Sequence, residues 1–519
     1  MYYEQFNALW IPGNYGINLP CSRGESGMMS RSDDNLLNEA FSPTIFRAAA
    51  LEWQRLLADH LQRLTDRKSV VLNWTEPQAA ILDAAGWMNL TPTGSVDSTV
   101  TRLGDIVRKM LSSGQNLHHP HYIGHQVPAS VPLAGLFDAV CSVTNQVMAI
   151  YEMGPWATAV EHALVNALCE KVGWSSETST GLLTHGGSLA NLTALLTARN
   201  VCLPQSWEHG VPSNTVLITH ADAHYCVSRS AGILGLGTRQ VVKATLDSLG
   251  HMDPDLLDKL ITQQKMQGRQ ILAVSACACS TPTGAFDDLI RIAEVCEKHH
   301  VWLHVDAAHG GGLLMSRRHR TRLAGIENAD SVVWDAHKMM FVPALCAAVL
   351  YKNQAHRFET FQQTAPYLFD PSAPGMADFD SGMRTVECTK RATGFGLWGL
   401  WSLFGERIFE QLVDRTIVMT QSFHQMLIDA PDFQPLHAPE CNILAFRYTP
   451  DSMNHASPAE IDQLQRTLRT SLIRSGHFYI VQTTLNQRAA LRVCLMNPMT
   501  TVQDLAELLE AIRTIALTC

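Results

Sequence analysis

The chain has 519 residues, 46% of them hydrophobic and 17% charged, with a formal net charge of −9. That length exceeds one ordinary domain and can bury a substantial core. The acidic balance argues against a general nucleic-acid binder and against docking on an anionic membrane. No apolar run approaches the ~18 residues of a membrane span. The N-terminal MYYEQFNALW lacks the basic-then-apolar order of a secretory signal. Thirteen scattered Cys without paired CxxC spacing, several in apolar strand-like runs (Cys277, Cys346, Cys494), read as reduced core thiols. The expectation is a soluble, cytoplasmic protein.

Residues 1–35 hold PGNYG, NLPCSRGESG and SRSDD, which read as an irregular arm. From Ser42 to Asp66 apolar residues fall at helical spacing (Phe46, Ala49, Leu56, Leu57, Leu61). A second helix is predicted over 97–112 on Val100, Leu103, Ile106, Val107 and Met110. Both need another surface to pack on, which in a dimer is often the partner subunit. LHHPHYIGHQVPAS (117–130) then gathers His118, His119, His121 and His125. No carboxylate or Cys accompanies them in sequence and Pro120 breaks an i, i+4 pair, so no metal is expected. The preferred reading is a polar loop entering an active site, with His125 and Gln126 as candidate substrate contacts. Two helices joined near Gly154-Pro155 follow.

In TGLLTHGGSLANLTALLTARN a short strand runs into Gly186-Gly187-Ser188 and then a helix. Free backbone N–H groups, a hydroxyl and the positive end of a helix dipole make such a turn a phosphate cradle. His224 follows an apolar strand, placed either to stack on an aromatic ring or to cap the next helix. RQILAVSACACSTPTGAFDDLIRIAEVCEKHHVWLHVDAA reads as strand, Ser/Thr-rich loop, helix and strand, with Thr281 in the loop. HVDAAHGGG and DSVVWDAHK carry the paired charged groups. Val301, Leu303 and Val305 precede Asp306, and Val332, Val333 and Trp334 precede Asp335, His337 and Lys338. A parallel α/β sheet places its chemistry beyond the carboxyl ends of its strands. An Asp after one strand and a Lys after the next therefore face one crevice. Pyridoxal 5′-phosphate (PLP) chemistry wants that pair: the Lys as Schiff-base partner, the Asp to keep the pyridine nitrogen protonated.

The set THGGSLANL, DAHYC, STPTGAFDD, HVDAAHGG and DAHK, in this order, resembles the group II PLP-dependent amino-acid decarboxylases over 45–515. The resemblance implies a fold type I, aminotransferase-like α/β domain with a mainly parallel sheet, a smaller C-terminal α+β domain and a homodimer with active sites at the interface. The division expected is an N-terminal arm and helical segment (1–125), a large PLP-binding domain (126–400) and a small domain (401–519). By position, Lys338 forms the Schiff base, Asp306 pairs with the pyridine nitrogen, His224 stacks on the ring and Ala308 packs on its other face. Gly187, Ser188 and His337 hold the phosphate, with Thr281 nearby.

Beyond Lys338, LCAAVLYKN is expected to close the main sheet, and 363–391 forms a long loop rich in Pro, Gly and Asp. In the resembling family this loop carries a Tyr that protonates the carbanion left by CO2. Aligned on the glutamate-decarboxylase pattern, that position falls on Phe379, which has no hydroxyl and cannot act as an acid; Tyr367 matches a separate position. Phe there is associated with O2-using members that release an aldehyde, which is the alternative reaction. The C-terminal part reads as helix to Ile428, then strands at NILAFRYT, HFYIVQTTL and AALRVCLMNP and a last helix over 501–517. Arg492, on an otherwise apolar strand, wants a carboxylate, and the family pattern assigns it the substrate's. The reading is decarboxylation of an L-amino acid through Lys338. ECTK and YEMGP favour glutamate, aspartate or 2,4-diaminobutyrate, with an aromatic substrate as the alternative. A non-catalytic relative would have lost Lys338 or Asp306, and both are present.

Overall fold

A computed structural model describes residues 31–89, 96–361 and 379–518. They fall into two compact units: residues up to 58 with 84–110, and 59–83 with everything from 111 onward. Helices Pro43–Thr65 and Val96–Ser113 supply most of the first. Within that unit Arg108 reaches Glu52 at 2.8 Å, while Phe46, Leu51, Ile106 and Met110 stay exposed.

The second unit is built on a seven-stranded sheet: β1 (Thr180–Thr184), β2 (Thr215–His220), β3 (Val241–Ala244), β4 (Gln270–Cys277), β5 (Trp302–Asp306), β6 (Ser331–Asp335) and β7 (Ala347–Tyr351). Its spatial order is β1-β7-β6-β5-β4-β2-β3. β3, β2, β4, β5 and β6 run parallel, and β7 runs antiparallel to both neighbours. The segment expected to close the sheet thus lies inside it. After Lys338 the chain turns back at the end where β6 finishes, and a returning strand there pairs antiparallel.

Sheets covered on both faces carry near-continuous apolar strands, and along β1, β6 and β7 successive residues alternate sides. Leu182, Leu217, Ala273, Val333 and Val349 pack on one face, which helix Gly187–Cys202 covers. Leu183, Ile218, Val274, Leu303, Val332 and Leu350 pack on the other, together with side chains of helices Pro155–Val172, Pro254–Met266 and Leu289–His299. β3 escaped the sequence reading because VVKA is a half-covered edge strand.

Helices Phe395–Phe404 and Arg407–Asp429 break at Gly405 (φ 66°) and lead into a second, antiparallel sheet. Its strands are β8 (Phe433–Pro435), β9 (Ile443–Tyr448), β10 (Val481–Leu485) and β11 (Arg488–Cys494), in the order β8-β9-β11-β10. Helices Pro458–Ser475 and Val502–Ala516 cover it, each opened by a capping box, Ser457 with Glu460 and Thr501 with Asp504. No helix among the described residues is long and apolar enough to cross a membrane.

Candidate active site

The carboxyl ends of β1, β2, β4, β5 and β6 open on one cavity of about 680 Å3, which Arg492 of β11 and the His125–Gln126 loop also line. Asp306 and Lys338 share it. Asp306 ends β5, is 7% exposed, and accepts the Ala308 N–H through Oδ1 at 3.1 Å, which pins the carboxylate in the cavity wall. Lys338 extends its Nζ to 3.0 Å from Asp335 Oδ2. Burial alone would lower the ammonium's pKa, but Asp335 and Asp306 more than offset it, so Lys338 stays charged above its ordinary range.

Sequence reasoning passed over Asp335 as part of the DAHK run, yet it is central here. It ends β6 at 1% exposure, its Oδ2 faces Lys338 and lies 3.7 Å from His337 Nε2, and its Oδ1 has no hydrogen-bond partner. Glycine is obligatory opposite it: a Cβ on Gly187 would sit 2.6 Å from Asp335 Oδ2. Gly186 (φ 112°) makes the turn that only glycine adopts with ease, and helix Gly187–Cys202 starts there with its first N–H groups unsatisfied within the helix. Gly187, Ser188 and Asn191 all line the cavity.

His224 takes the capping role and also borders the cavity. It caps helix Tyr225–Ile233, its Nδ1 accepting the Cys226 N–H at 3.3 Å, and its ring lines the cavity. Burial lowers its pKa against the pull of Asp306, so at pH 7 it is neutral with its proton on Nε2. His337 sets Nδ1 2.8 Å from the Cys346 carbonyl. Thr281 contributes its carbonyl, which accepts from Arg492 Nη2 at 2.7 Å; the same nitrogen reaches Gln126 Oε1 at 3.3 Å. Arg492 is 5% exposed and its Nε has no partner. His309, also missed from sequence, lines the cavity and donates from Nε2 to Asn442 Oδ1 at 2.7 Å.

Phe379 is not brought to this cavity. It is 41% exposed and its ring lies 5.3 Å from that of His162 and 5.9 Å from that of Tyr151. Tyr367 lies outside the described residues. The other histidines of the 117–125 loop are committed elsewhere. His118 bonds the Ser130 carbonyl and His119 Nδ1 accepts the His121 N–H. A carboxylate absent from the local sequence does reach His121, that of Asp504 at 3.1 Å, but Arg67 already grips both its oxygens.

These residues fit PLP. A helix start whose first residue tolerates no Cβ suits a phosphate, a buried carboxylate at the end of β5 suits a pyridinium nitrogen, and an amine beyond the end of β6, between them in the sheet, suits an aldehyde. The Pyridoxal-dependent decarboxylase conserved domain matches residues 95–449. Mouse CSAD shares 26% identity at a TM-score of 0.83, covering 92% of this chain and 99% of its own. The glutamate decarboxylase domain of a diaminobutyrate-pyruvate transaminase and L-2,4-diaminobutyrate decarboxylase from Vibrio parahaemolyticus shares 25% identity at a TM-score of 0.79, covering 91% and 96%. Oryza sativa TDC with PLP and tryptamine, at 18% identity and a TM-score of 0.83 over 92% and 99%, shares the fold. With its motifs, its sheet and the cavity joining Asp306 to Lys338 all in agreement, this chain belongs to the pyridoxal-dependent decarboxylases and is a PLP-dependent carboxy-lyase.

Proposed function

We propose that the chain decarboxylates an L-amino acid with a polar side chain, glutamate, aspartate or 2,4-diaminobutyrate, to the amine and CO2. The observation that carries the amino-acid substrate is Arg492, a buried guanidinium in the wall of the Lys338 cavity with an unpartnered Nε, suited to the carboxylate that every such substrate has. Such a group recruits a carboxylate. Gln126 and Thr281 fix its orientation through one terminal nitrogen. The Vibrio relative, named for glutamate and L-2,4-diaminobutyrate decarboxylation, supports the polar side-chain class.

When bound, PLP supplies an aldehyde carbon and a protonated ring that accepts the electrons released with CO2. Asp306, fixed by the Ala308 N–H, holds the ring proton in place. Arg492 orients the substrate carboxylate. His224, with Nδ1 occupied by the Cys226 N–H, has Nε2 as its one remaining proton donor toward the cavity. Lys338 and Asp335, 3.0 Å apart, can pass a proton between amine and carboxylate as Lys338 is engaged and released.

The working unit proposed is a homodimer in the cytoplasm. Helix Pro132–Val143 leaves Leu133, Leu136, Val140 and Val143 exposed along one stripe, with Trp156 exposed nearby in sequence, an apolar surface typical of subunit contacts. The described cysteines are all free thiols, as a reducing compartment maintains them.

The test is mass spectrometry of the PLP-loaded enzyme against a panel of L-amino acids with dissolved O2 followed in parallel. Amine without O2 uptake is expected, from a polar substrate. Arg492→Met should cut kcat/KM for that substrate roughly 10–100-fold, the worth of a charge-assisted hydrogen bond. Aldehyde with matching O2 loss would replace this reaction with the oxidative one. Turnover of aromatic substrates alone would overturn the side-chain class.

A further inference from the structure

Behind the cavity, a line of buried polar groups runs from the sheet to the first turn of the cradle helix. Trp302 Nε1 is 3.0 Å from Ser331 Oγ, which is 2.9 Å from His304 Nδ1. His304 Nε2 is 2.8 Å from Asn191 Oδ1, and Asn191 Nδ2 donates at 2.9 Å to the carbonyl of Gly187. Trp302 lies at the start of β5, His304 on β5, Ser331 at the start of β6, and Asn191 one turn into helix Gly187–Cys202. His304 and Ser331 are fully buried and Asn191 is 1% exposed.

Both ends of this line have one polarity, and that fixes every hydrogen in it. The Gly187 carbonyl can only accept, so Asn191 turns its amide nitrogen there and its oxygen toward His304. That oxygen requires a proton on His304 Nε2. Burial pushes the His304 pKa down to about 4, so the ring is neutral at pH 7 and Nδ1 is bare. Nδ1 then accepts from the Ser331 hydroxyl, and the hydroxyl oxygen accepts from the Trp302 N–H, which can only donate. No member is left with two donors or two acceptors face to face.

We infer that His304 is a positioning residue for the cofactor: through Asn191 it fixes the Gly187 end of the cradle helix, and thereby the N–H groups that receive the phosphate. The side chain touches neither the cavity nor any reacting atom. Its effect should therefore fall on cofactor affinity whatever the amino-acid substrate. It does so from the strand that also carries Asp306, two residues on, so one rigid element sets the distance between the phosphate seat and the carboxylate that meets the ring. A histidine serves where most side chains fail because it bridges a hydroxyl and an amide oxygen across a closed interior, accepting at one nitrogen while donating at the other.

The experiment titrates PLP into stripped protein, reading the absorbance of the Lys338-bound cofactor for Kd and the 31P resonance of the bound phosphate, with the melting temperature of the stripped protein beside them. His304→Phe should raise Kd by about tenfold, the scale of one buried hydrogen bond lost at a site of fixed geometry, and shift the 31P resonance. His304→Gln, whose amide can donate to Asn191 and accept from Ser331, should recover most of the affinity. A purely structural role would lower the melting temperature of both variants while leaving Kd and the 31P resonance of the folded fraction unchanged, and that result overturns the inference. If His304→Phe does not fold, Ser331→Ala removes the donor to Nδ1 from a position remote from the cavity. It should weaken PLP several-fold, and an unchanged Kd there is equally fatal.

Discussion

At the scale of single residues, Asp335 is the unusual feature of the site. A carboxylate with one oxygen on Lys338 and the other unpartnered is placed beside the glycine that receives a phosphate. Lys338 must lose a proton before its nitrogen can attack an aldehyde, and Asp335 and Asp306 hold that proton on against the opposing effect of burial. Below the pKa of an amine its reactive fraction falls tenfold per pH unit, so removing an anion that raises this pKa enlarges the reactive fraction at any neutral pH. Asp335→Asn should therefore load PLP faster than wild type in stopped-flow absorbance. Its rate-versus-pH profile should move to lower pH, with Asp306 still facing the amine. An unmoved profile, or slower loading, would mean that Asp335 does not control the Lys338 proton. The sequence motifs identified Lys338, Asp306, His224 and the glycine turn because each sits at a strand end, where pattern and chemistry coincide. Asp335 also ends a strand, but its role comes from the Lys338 amine that its side chain faces and from Gly187 opposite it, and that of His309 from Asn442, none of which the apolar pattern encodes. Phe379 was assigned by register within a loop, and the described part of that loop places it against His162 rather than in the cavity.

Among elements, the join that matters most is a buried ion pair. Lys390 Nζ donates to both carboxylate oxygens of Glu161, at 2.7 and 2.6 Å, and to the Leu183 carbonyl at 2.6 Å. The two side chains are 1% and 6% exposed. This one ammonium ties helix Pro155–Val172 to β1 and to its own segment, in which Lys390 pairs with Met148. Removing one member strands a charge in the interior, which typically costs roughly 3–5 kcal/mol, whereas replacing both with apolar side chains is often near neutral. Lys390→Met should accordingly lose about that much in urea unfolding, and adding Glu161→Leu should restore most of it. A single variant within about 1 kcal/mol of wild type would show that the pair behaves as a surface bridge. Most strands and some of the long helices are legible from apolar spacing, Pro43–Thr65 and Val96–Ser113 to within a residue or two of expectation, whereas β3 and helices Pro254–Met266 and Pro458–Ser475 are not. The antiparallel insertion of β7 was not, because strand order is decided by which neighbour a returning chain meets, and VLY reads the same inside or at an edge.

Over the whole molecule, the buried histidines set an acid limit on stability. Burial lowers the pKa of His119 and His304 to about 4 and of His309 to about 3. None is more than 3% exposed. In the unfolded chain each titrates near 6.5. Above that value both states carry the neutral ring and the histidines leave stability unchanged. Between 6.5 and about 4 the unfolded chain binds protons that the folded protein refuses, so stability falls as pH falls. Below the folded values both states are charged and the loss is complete. Each group contributes up to about 1.4 kcal/mol per pH unit inside that window, so the three together give a slope of roughly 4 kcal/mol per unit. From 6.5 to about 4 that amounts to roughly 10 kcal/mol, comparable with an ordinary domain stability of about 5–15 kcal/mol. Buried carboxylates work in the opposite direction. Asp138, Asp287 and Asp330 have their pKa values raised by burial, so taking up their protons favours the folded state as pH falls through those raised values and offsets part of the histidine loss. The expected result is a urea midpoint flat from pH 8 to 7 and falling steeply from 6 to 4.5, with His304→Gln shallower by about one histidine's share of 1.4 kcal/mol per unit. A midpoint at pH 4.5 equal to that at pH 7 would mean that these rings take up protons without unfolding, contrary to the closed hydrogen-bond line that His304 completes between the sheet and the cradle helix.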